Sequence, residues 1–345
     1  MNPDWKEFLQ NQGARFDDAN VATFNGELQL PECALFDLSY LGLIQLEGED
    51  AVDFMQGQFT NDSREISVEA SQMSGFCSPK GRMLALFRII EHNGTYLLQL
   101  PIAVLEGVKK RLQMFVLRSK VTITDAGNDL VSLGLAGSCA EELLQDLFPS
   151  VPTETDQAVN ANGITCVRMG GAVPRFQLIV AADQAADLWK KLSIKAQATN
   201  STSWKLLSVR AGEPIVHSET IEAFVPQMTN MQLVNGLSFK KGCYTGQEVV
   251  ARMQYLGKLK RRMFHARIDS NDMPSPGDDL FSGESSSGQG AGRIVEAAPS
   301  PDGGHEVLAV IEISSQESND VHLGSIEGPQ LQFLELPYAF ESKDD

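Results

Sequence analysis

Apolar residues recur along this chain with two different periods, and the alternation between them lays out its elements. Near the start, Trp5, Phe8 and Leu9 share one face of a short amphipathic helix. Residues 33–46 read as short strands, and a helix follows from about Ala51 to Phe59 with Asp50 as its N-cap. Arg82 to Ile90 (RMLALFRII) and Thr95 to Leu100 read as strands joined by a turn at Gly94. From Ile102 to Leu117 the spacing is helical, with Val104, Leu105, Val108, Leu112, Phe115 and Val116 on the apolar side. Another strand begins at 121–123.

A second set follows. LVSLGLAG (130–137) is strand-like, Cys139 to Leu147 helical, and the polar stretch Pro149 to Asn162 a loop. ITCVRM and RFQLIV read as paired strands around Gly170 and Gly171, ahead of a helix from Asp183 to Leu192. Trp204 to Arg210 opens a further helix, stopped by Gly212 and Pro214. From about 258 short alternating strands (KLKRRMFHARI, GAGRIVEAA, EVLAVIEI, LQFLEL) are separated by Pro-, Gly- and Ser-rich turns, the pattern of a small all-β barrel. Antiparallel strands with intervening helices, then this barrel, make the fold class α+β.

At 345 residues the chain is long enough for two or three domains. The N-terminus carries acidic residues and no long apolar run, unlike a signal peptide, and no segment approaches the roughly 20 apolar residues of a membrane span. The five cysteines (Cys33, Cys77, Cys139, Cys166, Cys243) are far apart and contain no CxxC pair, which speaks against a disulfide framework or a self-contained metal site and for a reducing cytoplasm. The five histidines show no metal-ligand spacing. A formal net charge of -17 disfavours generic nucleic-acid binding, and no direct DNA binding is expected. Residues 240–267 depart from that balance: eight basic residues against Glu248 alone give a local net charge of +7. GQGAG (288–292) does not join a strand to a helix in a βαβ unit, so it is no dinucleotide fingerprint.

The most informative stretch is KKGCYTGQEVVAR, residues 240–252. Gly242 and Gly246 suit a tight turn that presents Cys243. A free cysteine, with a pKa of about 8.5, is only a few per cent thiolate at neutral pH. Lys240, Lys241 and the N-terminus of a helix starting near Gln247 would favour the anion. The residues themselves leave two readings open, a functional thiol and a cysteine that packs as a small apolar residue.

FKKGCYTGQEVVAR closely resembles the signature of the YgfZ family, a branch of the GcvT-like folate-binding proteins. MQGQFTND (55–62), LRSKVTI (117–123), WKLLSVRAGEPIV (204–216) and FVPQMTNMQ (224–232) resemble its other blocks in the same order, so the likeness spans about residues 33 to 340. The resemblance implies a three-domain ring around a central cavity that accepts tetrahydrofolate or a folate derivative, with no stable metal. It divides the chain into an N-terminal helix and extension (1–32), a discontinuous folate-binding domain (33–125 and 205–256), a second α+β domain (126–204), and a C-terminal barrel and tail (257–345). It implies a cytoplasmic accessory factor in the synthesis or repair of iron–sulfur proteins. Its partners would be iron–sulfur enzymes or assembly proteins such as tRNA methylthiotransferases.

The family's functional mark falls on Cys243 with Lys241, Gly242, Tyr244, Gly246, Gln247 and Glu248. Folate contacts fall on Trp204, Leu41, Asn230 and Arg252. Leu41 stands where some members carry a second tryptophan, with Tyr40 beside it. Trp204 is open to two readings, a ring that stacks on folate and a core residue at a helix start. The alternative function is that of the related aminomethyltransferase of the glycine cleavage system. Lys80 to Ala85 and Gly171 to Phe176, which correspond to that enzyme's acidic segments, carry no carboxylate here, so its acid–base chemistry lacks a candidate.

Overall fold

Three sheets of five or six strands organise the computed structural model of this chain, which describes residues 1–24, 26, 29–255, 257–285 and 290–340. The first runs, in spatial order, Gln72–Cys77, Met83–His92, Thr95–Pro101, Leu41–Glu47 and Thr122–Asp125, antiparallel throughout. Asn93 and Gly94 both take positive φ, the geometry that lets a two-residue hairpin follow strand twist. The helix Ile102–Val116 buries Val104, Leu105, Val108 and Leu112 against this sheet. Phe115, expected on the same face, is 38% exposed in the last turn, and its ring meets Phe76 edge-on at 6.4 Å. Asp50 stands at the N-cap of the helix Ala51–Gln58 as expected, but its carboxylate makes no capping bond and instead accepts from Lys120 N at 2.7 Å.

The second sheet runs Ala158–Ala161, Ile164–Met169, Arg175–Ala181, Leu130–Gly137, Cys33–Asp37 and Gln197–Ala198. Cys33–Asp37 pairs antiparallel with Leu130–Gly137, so the strands read over residues 33–46 divide between this sheet and the first. Ala158–Ala161 lies in the stretch expected to be a loop; as a half-buried edge strand it has no apolar alternation to announce it. The N-terminal helix Pro3–Asn11 packs on the helix Ala182–Leu192 through Trp5 and Trp189, ring centroids 5.5 Å apart. Trp5 Nε1 donates to buried Asp37 at 2.8 Å, and burial pushes that acid up to about 6.

The cysteine count concealed one link. Cys33 and Cys139 are joined in a disulfide, their Cα atoms 5.6 Å apart. The register explains it: Cys33 lies opposite Gly137, which brings Cys139 alongside across 106 residues of sequence. Cys77 and Cys166 are buried and free, and burial raises Cys77 to about 12. Cys243 is exposed.

The third sheet runs His322–Leu323, Asp279–Phe281, Gly292–Pro299, His305–Glu312, Arg261–Ile268 and Leu331–Leu334. A bridge between His322 and Gln330 brings its two edges together, curling it into a half-barrel. Residues 286–289, including part of the GQGAG stretch, and the tail 341–345 lie outside the described residues. The helix Ser201–Arg210 packs against Gly292–Pro299 and His305–Glu312. Arg210 forks onto Glu306, which also meets His265 Nε2 at 3.0 Å. Beyond it the chain returns to the first sheet: Met83 N donates to Phe224 O, Glu222 N to Met83 O, and Ser238 N to Thr60 O. Among the described residues no helix is long and apolar enough to cross a membrane.

Candidate functional site

Lys241 is turned inward, 6% exposed, and does not stand beside the thiol as a free cation. Its ammonium donates to the carbonyls of Gln56, Phe59 and Asn61 at 2.9, 2.6 and 2.9 Å. Two of these oxygens lie just past the helix Ala51–Gln58, where carbonyls lack intrahelical partners. Burial lowers this lysine to about 8. Its Nζ also sits 5.1 Å from the centroid of the Tyr244 ring, which is buried in the core between the first sheet and the half-barrel. Lys241 and Tyr244 thus anchor the turn from both sides of the exposed Cys243.

The two glycines of the motif differ. Gly246 has φ +85°, and a Cβ there would meet Ser78 O at 2.5 Å. Gly242 has no positive φ, and nothing lies within 4 Å of a Cβ at that position, so only Gly246 is required by the backbone. The helix Gln247–Tyr255 begins where expected. Gln247 Nε2 reaches back towards Gly242 O at 3.4 Å, and Glu248 pairs with Arg252 one turn on at 2.6 Å on the exposed surface. Arg252 is thereby engaged on its own helix.

A cavity lies where the units meet, lined by Leu41, Leu86 and Leu100 of the first sheet, Met169 and Gln177 of the second, Trp204 and Lys205 of the connecting helix, and Glu296 of the half-barrel. Its enclosed volume is about 80 Å³, a narrow slot below the usual size of a small-molecule site. Its walls are mainly apolar. A buried ion network closes one side: Arg88 pairs with Asp156 and lies 3.6 Å from Glu213, while Arg175 pairs with Glu213 at 2.8 Å and donates to Ser208. Two buried guanidinium groups and two partly buried carboxylates, drawn from distant parts of the chain, are thus brought together.

Leu41 and Trp204 both line this cavity, with Tyr40. Trp204 is nevertheless a core residue, 2% exposed. Phe36 meets its ring edge-on, the Arg175 guanidinium lies 5.2 Å from its centroid, and a Cβ on Gly134 would come within 2.7 Å of it. Asn230 lies outside the lining. Fully buried with φ +59°, it donates to Met263 O at 2.8 Å and to the Tyr338 hydroxyl, fastening the half-barrel. Cys243 and Arg252 are also outside the lining. Lys240 borders a second, more open cavity with Asn61, Gln72, Asp156 and Phe239.

Sequence reasoning missed Arg88, Arg175, Glu213 and Glu296. For Arg88, Arg175 and Glu296 the available signal was a charge flanked by apolar residues within a strand, as in RMLALFRII, RFQLIV and GRIVEAA; Glu213, in the turn after Arg210, carried no such signal. In the two segments that lack carboxylates, Arg82 donates to the carbonyls of Glu222 and Ala223, and Arg175 joins the ion network. Among the described residues no group of three or more His, Cys, Asp or Glu could hold a metal ion.

Residues 29–235 match the GCVT N-terminal domain family. The tRNA-modifying protein YgfZ of Colwellia psychrerythraea is 36% identical over 286 residues, covering 82% of this chain and 86% of that protein. The protein of the same name from Yersinia enterocolitica is 32% identical over 305 residues, covering 88% and 92%. The crystal structure of glycine cleavage system aminomethyltransferase T from Bartonella henselae superposes with a TM-score of 0.74 over 98% of this chain and 97% of that one. At 16% identity that likeness concerns the fold.

Proposed function

This chain belongs to the YgfZ family of GCVT-domain proteins, and from that premise we propose that it is a tetrahydrofolate-binding accessory protein for the synthesis or repair of iron–sulfur proteins, including those that modify tRNA. One observation carries the folate part. The cavity between the sheets and the half-barrel has apolar walls and a few convergent polar side chains, and it includes Leu41, Tyr40 and Trp204. The ligand sits against Leu41, Tyr40 and the neighbouring apolar residues. Trp204 forms part of the wall, because its ring is already packed by Phe36, Arg175 and Gly134.

Cys243 is the thiol that partners meet. It is exposed on a turn held by Lys241 and Tyr244, and it lies outside the cavity lining. Folate and partner therefore act at different places. One thiol does not hold a four-cysteine cluster, so Cys243 acts together with ligands from a partner iron–sulfur enzyme or assembly protein.

Two measurements test this. Calorimetric titration with tetrahydrofolate should give saturable binding that protects the protein against thermal unfolding; no heat and no shift at millimolar ligand would refute the folate reading. In a deletion strain, Cys243→Ser should fail to restore iron–sulfur enzyme activity while melting as the parent does. Full restoration would show the thiol to be dispensable. Lipoyl-carrier-dependent formation of methylenetetrahydrofolate would instead favour the transferase.

A further inference from the structure

Glu296 is an acid among apolar neighbours of its strand: Ile294, Val295, Ala297 and Ala298 around it are buried. The register of Gly292–Pro299 against His305–Glu312 slips between Ile294 and Glu296. Bulges of this kind re-aim a side chain, and here the re-aimed acid lines the central cavity. Glu296 as a whole is 7% exposed. One carboxylate oxygen accepts from Ala297 N at 2.9 Å, and the other meets His217 Nε2 at 3.0 Å. Burial opposes its charge, but the hydrogen bond and charge of His217, with the charge of Lys205, outweigh that and lower the acid below its usual range.

Two donors share the same cavity without a protein acceptor. Lys205 holds its ammonium 4.9 Å from the centroid of the Tyr40 ring and has no carboxylate within 4.0 Å among the described residues. Gln177 is 1% exposed, and its Nε2 is unpartnered. Burying an unmatched donor is unfavourable, and a ligand oxygen would remove that penalty. An ionised carboxylate in the cavity lining can only accept hydrogen bonds, and each oxygen keeps a lone pair beyond its bond to Ala297 N or His217.

The complement of this set is a flat ring with an amidine-type edge, N–H beside NH2, next to a carbonyl oxygen. We infer that Glu296 recognises the 2-amino-N3 edge of a reduced pterin ring, while Gln177 and Lys205 meet oxygens of the same ligand. This deepens the folate reading and rests on it. The half-barrel, through one bulged strand, then decides which end of the folate enters the cavity.

The test uses the full-length chain and three calorimetric probes: tetrahydrofolate, 6-methyltetrahydropterin and p-aminobenzoylglutamate. A hydrogen bond to a charged group is worth about 1.5–3 kcal/mol, so Glu296→Gln should weaken the two pterin-containing probes at least about tenfold. It should leave p-aminobenzoylglutamate within about twofold, a split that a merely structural role would not produce. Unchanged pterin affinity, or equal loss on all three probes, overturns the assignment. Should the variant fold poorly, the wild type alone decides: it must bind 6-methyltetrahydropterin at least about tenfold more tightly than the 2-desamino analogue. Tetrahydrofolate binding without that preference defeats this inference and leaves the folate reading standing. No tetrahydrofolate binding at all defeats both.

Discussion

Replacing Lys241 by Met keeps the aliphatic stem and removes the ammonium that ties the Cys243 turn to the first domain. Three carbonyls, those of Gln56, Phe59 and Asn61, lose their donor in a site where the lysine is 6% exposed. Each buried acceptor left unmatched costs about 1–3 kcal/mol, for a gross loss of several kcal/mol. Against this stands the desolvation of the ammonium, the leading cause of its drop from 10.5 to about 8. The net expectation is destabilisation of about 2–4 kcal/mol, read as a lower urea midpoint at unchanged slope.

The pH dependence gives a second arm. The folded lysine releases its proton at about 8 and the unfolded one at about 10.5, so the unfolded chain binds more protons between those values. The contribution is fully present above about 10.5 and is lost as pH falls through about 8. The gap between wild type and variant should therefore widen as pH rises through that window. A stability within about 0.5 kcal/mol of wild type, or a gap that narrows with rising pH, would refute the anchoring role of Lys241.

Gly246→Ala should cost more than about 1 kcal/mol, because φ is +85° and the new Cβ strikes Ser78 O, whereas Gly242→Ala should melt within about 0.5 kcal/mol of the parent; equal effects would contradict the turn geometry. Glu306 is held down to about 2: burial opposes its charge, but His265 and Arg210 outweigh it. Its stabilisation is present above the ordinary carboxylate value of about 4.5 and is lost as pH falls through about 2, so Glu306→Gln should show a flatter acid-unfolding curve than wild type. Arg88→Met should cost about 3–5 kcal/mol by stranding Asp156, while Glu213 keeps Arg175, and Asp156→Asn in the same chain should return part of it in a double-mutant cycle.

The sequence by itself determined what depends on local period and local chemistry. The helix Ile102–Val116, the Asn93–Gly94 hairpin and the strands of the half-barrel were legible because their apolar spacing and turn residues act over a few positions. The motif around Cys243 was legible as a family mark, and so was the helix that starts at Gln247.

Tertiary structure alone decided the rest, because it turns on which distant residues meet. Cys33–Asp37 joined the second sheet through pairing with a strand about a hundred residues away, and that register created the disulfide to Cys139. Lys241 looked like a cation for the thiol until folding gave its charge to three backbone oxygens. Trp204 lines the cavity but is held on its own faces, and Asn230 fastens the half-barrel instead of lining that cavity. Glu296 reaches the cavity through a one-residue slip between two strands. A buried charge must find its counter-charge wherever the fold supplies one, and sequence spacing carries no record of that meeting.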